Sequence, residues 1–231
     1  MTLGWEPIWQ EHGAAWELRE PEPKVVDFIQ QLKDEGARRV LDIGCGLGRH
    51  LLLLAAEGFD AHGLDVSPTA VETCRRRLRE AGLSATVALG PMMVLQLPRG
   101  SFDAALAWNV LYHAKTGEIV KTIAGVRALL KAGGLLLTTF ISTADGQLQR
   151  TRELVAEGKA EEIDPGTFVI PGDTTTDKAL PHHYSTEDEI RETFLAGFDV
   201  LSLEEHRGEE LDFEGHPYPS AHWHVLARKT P

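Results

Sequence analysis

The run Val40-Leu41-Asp42-Ile43 followed at once by Gly44-Cys45-Gly46-Leu47-Gly48 constrains this chain more than any other feature. A short apolar run closed by alternating glycines reads as a buried strand entering a tight turn. The apolar stretch Leu51–Glu57 then reads as a helix that stops at Gly58. A strand that passes through glycines into a helix opens a parallel βαβ unit, in which the backbone at the turn lies open to a ligand.

The same alternation recurs downstream. Strands are expected at Ala61–Leu64, Thr86–Leu89, Phe102–Trp108 and Leu135–Ser142. Between them come helices at Pro68–Ala81, with Ser67 as N-cap, and Lys115–Leu130; another, at Pro21–Gln31, precedes the first strand. Short apolar strands joined by helices imply a mostly parallel sheet covered on both faces. The pattern breaks at Thr143–Tyr184, which is rich in Gly, Pro, Asp and Thr. It reads as an irregular insertion after the fifth strand, with one short helix near Gln147–Glu157, lying as a lid over the sheet's C-terminal edge. A helix from Ser185 to Leu195 and an antiparallel pair, Phe198–His206 and His222–Arg228, complete a single domain over residues 1–231.

Composition narrows the partners. With 23 basic and 35 acidic residues the net charge is -12, so a polyanion is repelled on average and nucleic acid is not expected. Arg75-Arg76-Arg77 with Arg79 reads as a solvated helix face. No long apolar run or secretory pattern is seen, and Cys45 and Cys74 form no metal motif; a cytoplasmic, non-membrane protein is expected.

The glycines are spaced Gly-x-Gly-x-Gly, whereas a dinucleotide fingerprint is Gly-x-Gly-x-x-Gly. Asp65 ends the second strand 17 residues beyond Gly48, where an acid can accept both hydroxyls of a ribose. Together with Phe102-Asp103-Ala104 and Leu130-Lys131-Ala132-Gly133-Gly134, these residues resemble class I methyltransferases dependent on S-adenosylmethionine (SAM). The N-terminal tryptophans and the tail Leu203–Lys229 are similar to the tellurite-resistance and thiopurine-type branch. The resemblance implies a Rossmann-like, seven-stranded α/β sheet with an antiparallel last strand. It also implies SAM as cofactor. Gly44, Cys45, Gly46 and Gly48 would flank its methionine part, Asp42 would orient its ammonium, Asp65 and Val66 would hold its ribose, and Asn109 would sit near the methyl group. Many relatives carry an acid after the third strand for the adenine, but here the chain has Met92 and Met93, which could sandwich the ring or simply fill core.

Methyl transfer needs positioning, and a base when the acceptor carries a proton. His113, after the fourth strand, is a candidate base or substrate contact, or a turn histidine. His206 and Arg207 match a pair in tellurite-type relatives that implies a base and an anion-holding group; the alternative is a surface turn. Tyr112, His182, His183 and Tyr184 are candidate substrate contacts. Adjacent histidines point apart in an extended segment, so no metal site is assigned. Trp5, Trp9 and Trp16 suggest that residues 1–24 form a flap over the cofactor, or else dock on the body of the domain; Trp16 is the main contact expected. The expected activity is transfer of a methyl group from SAM to a small molecule. The alternatives are an NAD-linked oxidoreductase and a non-catalytic SAM-binding module.

Overall fold

The computed structural model describes residues 4–17, 20–173, 177–211 and 217–230, with the side chains of residues 12, 14–17 and 211 outside that set. At its centre β1 (Arg39–Ile43) pairs in parallel with β2 (Asp60–Asp65) on one edge and β4 (Phe102–Ala107) on the other. β3 (Thr86–Leu89) extends the sheet beyond β2, and β5 (Leu130–Ser142) extends it beyond β4. The long strands β9 (Phe198–Leu211) and β10 (Pro217–Lys229) close it, with β10 antiparallel to both β5 and β9. The order β3-β2-β1-β4-β5-β10-β9 is the expected seven-stranded, mostly parallel sheet with its antiparallel last strand.

Side-chain alternation on β1 produces two cores. Leu41 and Ile43 pack with α5 (Thr116–Leu129) through Ile119, Ile123 and Val126. Val40 faces the other side, with Phe28 of α2 (Pro23–Asp34), Leu51 and Leu54 of α3 (Arg49–Ala56), and Val71 of α4 (Pro68–Glu80). α4 starts where expected, because Ser67 Oγ accepts a hydrogen bond from Ala70 N at 3.1 Å and Pro68 occupies the first helical position. At the N-terminus, α1 (Trp5–Glu17) packs against α4.

The insertion is more regular than its composition suggests. It holds α6 (Gly146–Ala156) and three short strands, β6 (Glu161–Asp164), β7 (Thr167–Val169) and β8 (His182–Ser185). β8 pairs in parallel with the tip of β5 at Ile141–Tyr184 and Ser142–Ser185, on the edge that β4 vacates. Tyr112, Ile141, Leu148, Phe168 and Tyr184 form a small core beneath it. Strands of three or four residues are too short for alternation to show in sequence, and tertiary pairing sets them. The expected helix at Ser185–Leu195 is one α turn, α7 (Glu187–Glu189), that widens into a π turn at Ile190–Phe194. Among the described residues no helix is long and apolar enough to cross a membrane.

Asp145 ties the insertion to the sheet. Its Oδ1 caps α6 by accepting from Gln147 N at 2.9 Å, and its Oδ2 accepts from Ala221 N of β10 at 2.9 Å. Asp145→Ala is expected to lower stability by about 2–4 kcal/mol, from a lost cap and an unpartnered buried amide. An unshifted urea midpoint would show that the tie lies elsewhere.

Candidate functional site

The glycine loop is fixed by its neighbours. Gly44 N and Cys45 N both donate to Leu64 O, at 2.7 and 3.0 Å, which pins the loop to the end of β2. Gly46 and Gly48 take φ of 53° and 89°, in the left-handed region that favours glycine. A Cβ on Gly44 would stand 2.4 Å from Val110 Cγ2, so no larger residue fits.

Two carboxylates lie behind and beside this loop. Asp65 Oδ2 accepts from Gly46 N at 2.8 Å, and Oδ1 accepts from Ser67 N at 2.9 Å. Each oxygen keeps lone-pair capacity, which suits a vicinal diol. Burial pushes the Asp65 carboxyl up, and the backbone amides of Ser67, Gly46 and Val66 oppose that shift. Asp42 is also buried, and its Oδ2 has no hydrogen-bond partner. Burial first, then the nearby Asp65 charge, push its carboxyl up to about 8, with Arg49 pulling the other way. An unpartnered buried carboxylate oxygen is costly unless a donor arrives to meet it.

From the loop a single cavity of about 1250 Å³ runs along the sheet's C-terminal edge to the insertion. One half is lined by Gly44, Cys45, Gly46, Asp65, Val66, Met92, Met93 and Asn109. The other is lined by Tyr112, His113, His182 and Tyr184, with Asp145, Asp177, Lys178, Glu210, Tyr218 and His222.

Residues 40–134 match a family profile described as a methyltransferase domain. This stretch, from β1 to the turn within β5, is a methyltransferase domain. The chain is 29% identical over 142 residues to the ubiquinone biosynthesis O-methyltransferase of Methylococcus capsulatus, a match covering 61% of this chain and 58% of that protein. To the tRNA U34 carboxymethyltransferase of Shewanella loihica it is 26% identical, over 98% of this chain and 67% of that one. The match thus spans less than two thirds of the ubiquinone enzyme's length. In fold it is similar to a SAM-dependent methyltransferase from Methanosarcina mazei, with a TM-score of 0.70 at 22% identity over 92% and 99% of the two chains. It is also similar to TehB from Haemophilus influenzae, with a TM-score of 0.65 at 20% identity over 91% and 63%.

Within this methyltransferase fold the sequence-predicted residues divide. Gly48 stands behind the loop as the N-cap of α3 and does not line the cavity. Asn109 is held in place, and among the described residues it is the one non-glycine with positive φ, at 56°. Its N–H donates to Thr139 Oγ1 at 2.8 Å, and that hydroxyl donates to Asn109 Oδ1 at 2.9 Å. Trp5 and Trp9 line the cavity, while the Trp16 side chain lies outside the described residues. The adjacent histidines part as expected. His182 faces the cavity, whereas His183 points into the insertion, against Thr167 Oγ1 at 2.8 Å and Glu189 Oε2 at 3.0 Å. His183 is therefore corrected from a cavity contact to a support.

His206 and Arg207 are also corrected. They sit on β9, the outermost strand, and neither reaches the cavity. His206 stacks on His224 at 3.9 Å, and Arg207, with its side chain 68% exposed, pairs with Glu205 at 2.6 Å. At the cavity itself, burial first and His182 second hold His113 well below the usual histidine range. Trp5 meets the His113 ring edge-on at 4.7 Å, and His182 meets it edge-on at 4.6 Å. The sequence assigned no metal. The structure nevertheless brings one potential ligand atom each of His113, Asp177 and His182 within 4.8 Å of one another. Asp177, Glu210 and Tyr218 carry no local sequence signal: one opens a single 3₁₀ turn, Asp177–Ala179, within a polar stretch, and two lie at the far end of a hairpin.

Glu6 was missed as well. Its carboxylate accepts from Thr69 N at 3.1 Å and from the Ser67 and Thr69 hydroxyls, at the N-terminus of α4. This holds α1, and with it Trp5 and Trp9, across the cleft. Glu6→Ala is expected to raise amide exchange across α1 by about 10-fold or more while exchange in β1 and β4 stays unchanged. Equal exchange in α1 would mean that its tryptophans alone hold it down.

Proposed function

We propose that the protein transfers the methyl group of SAM to a small-molecule acceptor. The observation that carries this reading is the continuity of one cavity from the glycine loop to the histidine cluster. At about 1250 Å³ it exceeds the roughly 300–1,000 Å³ of a site built for one ligand. The residues present fit the cofactor. Asp65 has lone pairs left for a ribose, and the unpartnered Asp42 Oδ2, buried behind the loop and outside the cavity lining, suits an ammonium reached through a water. Met92 and Met93 would flank the adenine, and Asn109 would stand beside the reacting centre. When bound, SAM supplies a methyl group on a sulfonium that leaves as a neutral thioether. The protein's part is to align the acceptor, with Tyr112, His113 and His182 beneath the tryptophans of α1, and to keep water out.

A second reading comes from the relative named for tRNA, whose match spans nearly the whole chain. A net charge of -12, and a cavity lining in which carboxylates such as Asp145, Asp173, Asp177 and Glu210 outnumber the cations Arg49, Lys115, Arg150 and Lys178, favour a small molecule over a phosphate backbone. Incubation with SAM and a panel of phenols, thiols, amines and bulk tRNA tests the proposal. Demethylated cofactor is expected with a small acceptor. Turnover with tRNA alone would overturn the small-molecule reading, and tight SAM binding without any turnover would favour a non-catalytic module. Stabilisation to heat by NAD rather than SAM would restore the oxidoreductase.

Two further outcomes follow from the carboxylates. Asp65→Ala is expected to weaken SAM binding by about 1–3 kcal/mol, measured by calorimetry. Burial and the nearby Asp65 charge push the Asp42 carboxyl up to about 8, which favours its protonated form at pH 7. An arriving cation favours the ionised form, so SAM binding near pH 7 is expected to release close to one proton. Affinity should rise with pH and level off above about 8. Calorimetry in buffers of different ionisation enthalpy reads the release, which Asp42→Asn should abolish; equal heats for the wild type would rule out this role.

A further inference from the structure

We propose that His113, Asp177 and His182 form a divalent-metal site, of the kind that takes Zn²⁺ or a neighbouring late first-row ion, at the acceptor end of the cavity. One potential ligand atom of each lies within 4.8 Å of the others. His182 Nε2 and Asp177 Oδ2 are 3.4 Å apart. Two ligands bonded at about 2.0–2.1 Å to a tetrahedral ion stand about 3.3–3.4 Å apart.

The backbone fixes which nitrogen each ring presents. His182 Nδ1 faces Leu180 O at 2.9 Å, and His113 Nδ1 faces Pro181 O at 3.3 Å. A carbonyl only accepts, so both Nδ1 atoms carry the proton and both rings are left with Nε2 for a cation. Metal-bound histidines are characteristically oriented in this way, by a second-shell carbonyl or carboxylate. A simple ion pair would account for Asp177 and His182. It gives no reason for a second, half-buried imidazole set edge-on at 4.6 Å from the first with its own Nδ1 anchored.

Two histidines and one carboxylate leave coordination positions open, as in catalytic rather than structural sites. All three residues line the cavity, so an open position faces the space beside Tyr112. The acceptor would be a molecule with a hydroxyl, thiol or amine able to bind the ion. A hydroxyl or thiol so bound loses its proton to water more readily than in solution. This role in acceptor binding rests on the methyl-transfer reading above, whereas cation binding by itself does not.

The test is a Co²⁺ titration of the full chain after chelator treatment, followed by visible ligand-field absorption. One Co²⁺ per chain is expected, with the bands of a four- or five-coordinate ion, displaced by one equivalent of Zn²⁺. Asp177→Asn and His182→Gln should each weaken binding at least about 100-fold, with the bands lost at stoichiometric cobalt. His206→Ala should bind as the wild type does, which separates this site from the surface pair His206 and His224. Absence of bands in the wild type would overturn the proposal whatever the variants do. So would bands that survive both substitutions or disappear in His206→Ala. SAM titration of the same samples reports on the cofactor half alone. Lost SAM binding with cobalt bound would therefore count against the methyl-transfer reading, and lost cobalt binding with SAM bound would count against the metal site.

Discussion

The buried carboxylate of Asp65 is the interaction on which the rest of this structure depends. It stands at the end of β2 and receives the N–H of Gly46 from the neighbouring loop and of Ser67 from the start of α4. One side chain thereby sets the glycine turn, the entry to α3 behind it and the direction of α4. Burial of the charge opposes this arrangement, and the backbone donors offset the cost. The same junction receives Glu6 of α1, so the helix across the cleft is anchored one turn from the residue that organises the cleft floor.

The second half of the cavity is assembled differently. β4 ends near residue 107 while β5 continues to Ser142, and β8 occupies the vacated edge. His183 N donates to Tyr112 O at 2.8 Å, which joins the insertion to the loop after β4. That bond sets His182 against His113 while His183 turns inward to Thr167 and Glu189. The insertion thus meets the rest of the sheet mainly through the tip of β5 and the loop after β4.

This difference explains what was legible in the sequence. Strand, glycine turn, helix and acid lie within 26 residues, from Val40 to Asp65, and each declares itself by local chemistry. The parallel sheet followed from the βα alternation, and the strand number with its antiparallel last strand from the family resemblance. The histidine cluster drew on residues 64 and 69 positions apart, so neither spacing nor composition could join Asp177 and His182 to His113. Short strands in a polar, glycine-rich segment also carry no period to read. The insertion therefore looked irregular, although its small core around Phe168 and Tyr184 is well buried.

The misplacement of His206 shows how much strand order matters to a functional assignment. In the register of the closing hairpin His206 lies opposite His222, so the two occupy equivalent positions on adjacent strands. His222 lines the cavity because β10 lies directly against β5, whereas His206 is one strand farther from the centre. Neighbouring strands are about 4.8 Å apart, and an imidazole cannot span that distance and still touch a ligand lying over β4 and β5. Farther along the same strand, Glu210 does reach the cavity. A motif near the correct end of a strand therefore specifies a function only once the distance of that strand from the switch point between β1 and β4 is known. In this fold the loop after β4, the insertion, β10 and the far end of β9 line the half of the cavity away from the glycine loop.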